Sequence, residues 1–234
     1  MLFSCNSKKP QYDIETFPTQ TGAVSVHCIR HGSLAIDFKD YRILIDPVGE
    51  MDGQTIDYSA FGKADAVFVT HEHFDHMDPQ LIGKLSKEGT RVFANAAGCG
   101  KMGFGEAVAA GCSGILNDRI SYTVVPAYNV TPDHLKFHPK GNGNGYVFDI
   151  DGIRIYVAGD TEFIPEMKEM EGIDVAFLPC NQPYTMTVDM AVEAAEAISP
   201  KIFVPYHLTD TDVDAIRKAL DGSGIEVRLH ESLR

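Results

Sequence analysis

Directly after an apolar run, Ala64-Asp65-Ala66-Val67-Phe68-Val69-Thr70, the chain reads His71-Glu72-His73-Phe74-Asp75-His76. In a sequence with nine histidines in all, this crowding of imidazole and carboxylate is metal-ligand chemistry. In an extended segment residues i and i+2 point the same way, so His71 and His73 can grip one ion. Asp75 and His76, past the turn, can complete that site or hold a second ion. Imidazole and carboxylate donors without thiolate suit Zn²⁺ first, and also Mn²⁺, iron or Ni²⁺, but not copper(I) or a cluster. One or two divalent ions are therefore expected.

The elements that must carry this string are short strands and helices in alternation. Strand-like runs are read at 24–29, 33–38, 41–45, 64–70 and 91–94, then at 120–125, 145–150, 153–158, 175–178, 202–205 and 225–228. Asp151-Gly152 is a two-residue hairpin signal. Helices are expected at 79–87, with Asp78 as N-cap and Pro79 in the first turn, then around 103–110, 165–170, 188–198 and 210–220. Residues 1–21 read as a polar tail or linker and 22–234 as one compact α/β domain, which 234 residues with 44% hydrophobic side chains can form. Five cysteines without a C-x-x-C pair exclude a disulfide framework and a thiolate zinc finger. A net charge of −13 disfavours nucleic acid as a partner, and no run of about 18 apolar residues is present to span a membrane.

The His71–His76 string resembles that of the metallo-β-lactamase superfamily, and the resemblance runs from about Val24 to the end of the chain. It implies a four-layer αββα sandwich, two mixed β-sheets with helices on the outside. Val157-Ala158-Gly159-Asp160-Thr161 resembles the family's G-D-T segment, whose aspartate bridges two metals, and Pro205-Tyr206-His207 resembles its final strand-end histidine. Arg30-His31-Gly32-Ser33 and Leu178-Pro179-Cys180-Asn181-Gln182-Pro183-Tyr184-Thr185-Met186 resemble segments of the ascorbate-6-phosphate-lactonase-like hydrolases. Phosphodiesterases acting on N-acyl phospholipids share part of that pattern. One departure stands out: where relatives carry a third histidine, this chain reads Ala127-Tyr128-Asn129. Asn129 could serve as a weaker ligand, or His138 (ahead of His134 because Pro139 stiffens its loop) could swing in. Alternatively, only the position formed by Asp75, His76, Asp160 and His207 would hold metal.

The resemblance implies a metal-dependent hydrolase in which metal-bound hydroxide attacks a small anionic ester, lactone or phosphodiester. Asp75 would orient the nucleophile and move its proton, and His31, Tyr128 or Tyr206 would donate to the oxyanion. Asn129, and Lys140 with the Gly141-Asn142-Gly143-Asn144-Gly145 run, are candidate substrate contacts. The rivals are a phospholipid-type phosphodiesterase and a metal-sensing module without catalysis. Assembly into a homo-oligomer is left open. Leu2-Phe3-Ser4-Cys5 resembles the end of a bacterial lipoprotein signal without its apolar stretch. The chain as given therefore reads as cytoplasmic, or as periplasmic and anchored through Cys5 if translation starts upstream.

Overall fold

A computed structural model describes residues 12–234; Cys5 lies outside them. The first half lays down β1 (Asp13–Pro18), β2 (Ala23–Arg30), β3 (Ser33–Phe38) and β4 (Tyr41–Ile45), then a small hairpin of β5 (Glu50–Met51) and β6 (Gln54–Thr55). β7 (Ala64–Phe68), α1 (Pro79–Leu85), β8 (Ser86–Ala94), α2 (Ala96–Met102) and β9 (Glu106–Ala107) follow. The second half contributes β10 (Ser113–Asn117), β11 (Ile120–Ala127), β12 (Gly143–Ile150), β13 (Ile153–Val157), β14 (Val175–Pro179), α3 (Val188–Ile198), β15 (Ile202–Tyr206), α4 (Val213–Ala219) and β16 (Glu226–Val227).

Two seven-stranded mixed sheets result, ordered β1-β2-β3-β4-β7-β8-β9 and β10 through β16 in sequence. Period-two alternation sorts their side chains into layers. Leu34, Ile36, Ile43 and Phe68 meet Phe148, Val157, Phe177 and Val204 between the sheets. On the outer faces, Leu44 and Val67 pack with Ile82 of α1, and Ala176 and Leu178 pack with Ala191 and Ile198 of α3. This is the expected αββα sandwich. Burying each large apolar side chain contributes roughly 1.5–3 kcal/mol, so the central face carries most of the cohesion.

Two expectations need correction. Residues 13–18, assigned to the tail, form β1, an antiparallel edge strand registered from Asp13↔Cys28 to Pro18↔Ala23. Phe17 is its one buried side chain, too little apolar pattern to announce a strand. After it, Thr19 and Thr21 are tied to the Asp151 carboxylate at 2.7–2.8 Å. The helix expected around 103–110 lies earlier, as α2, capped by the Asn95 side chain and stopped by Gly103 at φ 76°.

Strands β2, β4, β7, β11, β13, β14 and β15 run in register with one another or through antiparallel neighbours, so their C-terminal ends share one rim of the sandwich. His31, Asp46, His71, Asn129, Asp160, Asn181 and His207 all follow these ends.

Candidate metal centre

Two side-chain clusters share the rim. His71 Nε2 and His73 Nδ1 stand 2.9 Å apart. His138 Nε2 and His71 Nε2 lie 3.2 and 3.8 Å from Asp160 Oδ2. On the other side of Asp160, His76 Nε2 is 3.4 Å from Oδ1 and His207 Nε2 3.2 Å from Oδ2. Asp75 Oδ2 faces His31, His207 and His76 at 3.5, 3.7 and 3.8 Å. Donor atoms of His71, His73 and His138 fall within 4.8 Å of one another, as do those of His31, Asp75, His76 and His207. His76 Nε2, His138 Nε2, His207 Nε2 and Asp160 Oδ1 are buried without a hydrogen-bond partner among the described residues. Buried polar atoms are rarely left so, and four converging on one point fit divalent cations in both clusters.

The backbone is bent to make this arrangement. His31, Asp46 and His207 hold φ of 52°, 46° and 52°, the left-handed region, at roughly 1–3 kcal/mol each. At Gly32 a Cβ would sit 2.8 Å from His76 Cε1, so only glycine lets the β2–β3 turn pass over that ring. His76 Nδ1 bonds Asp46 Oδ2 at 2.7 Å, and Asp46 also accepts from Thr70 N and Oγ1 at 2.7 and 2.6 Å. The Asp46 bond fixes the ring so that Nε2 faces the cluster, a carboxylate–histidine support.

The electrostatics call for added positive charge. Burial lowers the pKa of His76, but the carboxylates of Asp160 and Asp46 overturn this and hold it well above the usual imidazole range. In the His76–Asp46 pair we place the proton on the ring, because Asp160 adds a second carboxylate on its other side. His207 is likewise pushed up to about 9: burial opposes the rise, and Asp160 drives it. Burial would raise the Asp160 carboxyl, yet His207 and His76 hold it well below the carboxylate range. His31 drops to about 4 through burial and then its neighbour His207. Burial lowers His71 and His73 too, helped by His76 and His138 respectively, which leaves both as neutral donors.

Of the sequence candidates, His31, His71, His73, Asp75, His76, His138, Asp160 and His207 converge. His31 stands among the possible ligands as well as beside Asp75. Four expected substrate contacts lie elsewhere. Asn129 spends its Nδ2 on the carbonyls of Tyr184 (2.7 Å) and His134 (3.2 Å), and its backbone N–H holds the His138 carbonyl at 2.8 Å. It positions the His138 loop instead of facing the cleft. Tyr128 is buried, its hydroxyl donating to Glu166 and accepting from Lys140 at 2.8 and 2.9 Å, so Lys140 is engaged there too. Tyr206 is buried between the sheets. The glycine–asparagine run is structural: Asn142 Nδ2 reaches Glu72, and Asn144 N bonds the Thr70 carbonyl at 2.9 Å. His134 pairs with Glu162 at 2.8 Å and is not among the grouped donor residues.

Sequence reasoning missed Asp46 and Glu162. Asp46 carried a signal, an aspartate ending the apolar run Ile43-Leu44-Ile45 at the rim. Glu162 is buried and accepts from Val130 N, Thr131 N and His134 Nδ1 at 2.7–2.8 Å, a partnership no spacing announces.

The cleft above these clusters encloses about 1080 Å³. Among the described residues no helix is long and apolar enough to cross a membrane. A beta-lactamase superfamily domain matches residues 25–207. A Parabacteroides distasonis crystal structure, classed by name as a metal-dependent hydrolase, is 44% identical with a TM-score of 0.89, covering 94% of this chain and 99% of that one. A UPF0173 metal-dependent hydrolase of Pyrococcus furiosus is 31% identical over 79% of this chain and 84% of its own. A metallo-β-lactamase fold protein of Bacillus subtilis, 16% identical, has a TM-score of 0.68 over 93% of this chain and 92% of that one, a likeness of fold alone. With its two-sheet sandwich and rim of histidines and aspartates, the chain belongs to the beta-lactamase superfamily, as one of its metal-dependent hydrolases.

Proposed function

We propose that the protein binds two divalent cations and hydrolyses a small ester, lactone or phosphodiester. The supporting observation is the convergence of unpartnered His76, His138 and His207 Nε2 atoms and Asp160 Oδ1 on one buried point. His71, His73 and His138 would hold one cation, and Asp75, His76 and His207 the other, with Asp160 between them. Zinc is the expected metal, ahead of manganese, iron and nickel. When bound, such cations supply Lewis acidity that acidifies water and stabilises an oxyanion.

The chain's own groups do the rest. Asp75 Oδ2, flanked by His31 and His207, is placed to orient the attacking water and take its proton. His31 Nε2 steadies Asp75 and can donate to substrate oxygen from the cleft wall. His138 would supply the ligand missing from the first cluster, which weakens the case for a metal-sensing module.

The test is elemental analysis of tag-free protein, paired with assays on ester, lactone and phosphodiester substrates. Two equivalents per chain, with turnover abolished by chelation and restored by metal, is the expected result. One equivalent or less rejects the paired site, and full occupancy without turnover of any substrate class rejects the hydrolytic assignment.

A further inference from the structure

The cleft walls are not built for a purely polar substrate. Two candidate ligands that line the cleft have an accessible apolar chain neighbour there, His73 with Phe74 and His138 with Phe137; Met77 and Leu208 also border it but are buried. Phe74 is 86% exposed, the most exposed of the large hydrophobic side chains described, although it sits inside the ligand loop. Phe137 packs edge-on to Tyr184 with ring centroids 4.9 Å apart, and Tyr184, itself 45% exposed, lines the cleft beside it. A single exposed hydrophobe needs no explanation, but Phe74 and Tyr184, both exposed on one cleft with half-buried Phe137 against Tyr184, do.

The cations of the wall each have a partner near the surface. Arg30 faces Asp52 at 3.6 Å, Arg234 is paired with Glu231 at 3.0 Å, and Lys101 Nζ donates to the Glu72 carbonyl at 3.2 Å. The exposed aromatic side chains give this wall an apolar surface to select by, and 1080 Å³ is room for more than a small anion.

Resting on the hydrolytic reading above, we infer that the substrate is an ester with an extended apolar acyl arm, laid along Phe74, Phe137 and Tyr184 with its carbonyl at the histidine–aspartate floor. In the reaction the oxygen of water bonds to the acyl carbon and the acyl C–O bond breaks. The departing alkoxide takes a proton from that water, leaving a carboxylic acid and an alcohol. The apolar arm is the shared chemistry of soluble acyl esters and of lipids.

The experiment is a p-nitrophenyl ester series from acetate to decanoate, each below its micellar concentration, on metal-loaded protein. Burial of the arm raises kcat/KM about two- to fourfold per added methylene until the wall is filled. Phe74→Ala and Tyr184→Ala each lower the decanoate-to-acetate ratio at least about tenfold, whereas Ile115→Ala, at an exposed apolar residue outside this cleft, leaves the ratio unchanged. A flat series in the wild type, or a slope that both variants retain, overturns the inference while leaving the hydrolase intact.

Calorimetry with decanoate and acetate as probes separates the two ideas if no ester turns over. Binding of decanoate at least about tenfold tighter than acetate, lost in Phe74→Ala, supports the acyl wall. Equal binding of the two carboxylates overturns it. Faster cleavage of a long-chain ester in phosphatidylcholine vesicles than of the same ester free would name lipid as the source of the arm. The reverse order would name a soluble ester.

Discussion

Two loops deliver histidines to the same carboxylate, and they are held in different ways. The His71–His76 loop leaves β7 and packs four candidate ligands into six residues. It is braced from behind by Asp46 on His76 and by Asn95 and Asn142 on Glu72, at 2.6 and 3.1 Å. The Asn129–His138 loop travels further from its strand and brings one ligand. Its tie points are Glu162, which clamps both the backbone at 130–131 and His134, and the Tyr184 carbonyl, which takes His138 Nδ1 at 3.0 Å and Asn129 Nδ2 at 2.7 Å. Both loops lean on partners distant in sequence; they differ in that the first carries four candidate ligands within six residues and the second only one.

Asp160 faces both loops, and removing it gives the largest effect. Asp160→Ala should take metal content below one equivalent and cut turnover by roughly 10³-fold, given that a metal supplies several kcal/mol to a transition state. Retention of two equivalents would mean that the loops bind independently, and the comparison would lose its common point.

Loop-specific substitutions come next. Asp46→Asn releases His76 from the first loop and should weaken one ion about 10–100-fold, leaving the other. Glu162→Gln acts on the second loop. It puts an amide donor where two backbone N–H groups and an imidazole all seek an acceptor, which should cost about 1.5–3 kcal/mol of stability and weaken the other ion roughly tenfold. Calorimetric metal titrations of the two variants should therefore lose opposite sites. Loss of the same site from both would merge the two loops into one unit.

A finer version asks whether the strand-end position can be restored. Asn129→His places an imidazole where the family's third histidine is expected, yet Nδ2 of Asn129 is held by the Tyr184 and His134 carbonyls and Asn129 is not among the cleft-lining residues. In a His138→Ala background, Asn129→His should leave metal content as low as His138→Ala alone. Recovery to two equivalents would show that the strand-end position can replace the loop histidine and that the second loop can be re-aimed.

The same contrast explains what could be read in the residues alone. β3, β4 and α3 fell on their expected spans because alternation or helical spacing and a cap decide them locally. The first loop was legible because i, i+2 spacing and ligand chemistry coincide within it. Asn129 was legible only as a departure, since its partners Tyr184 and His134 come together in space. Tyr206 was misplaced because a strand-end tyrosine can face either the rim or the core, and the pairing of β15 with β14 turns it inward. Glu162 follows the Gly159-Asp160-Thr161 segment and reads as an ordinary acidic residue until the second loop folds over it.

The smallest effect tests whether sheet stiffness feeds either loop. Asp37 on β3 holds β2 and β4 together: Arg42 Nε and Nη2 donate to its two oxygens at 2.6 Å each, and His27 Nε2 lies 3.0 Å away. Burial alone would raise this carboxyl, but the Arg42 and His27 hydrogen bonds outweigh it and hold it at about 2. A folded-state pKa below the unfolded ~3.9 means the contribution is full above about pH 4 and fades as pH falls toward 2. The group is partly exposed, so solvent screening limits it to about 1 kcal/mol. Asp37→Asn should lower urea stability by that much at pH 7, and the gap from wild type should close between pH 4 and pH 2. His31 and Asp46 leave the ends of β2 and β4, so a site dependent on the sheet would lose metal along with stability. We expect full metal content in Asp37→Asn, because Thr70 holds Asp46 and backbone bonds to Ser232 and His207 hold His31. Loss of metal there would move the first loop's rigidity from its own contacts to the sheet beneath it.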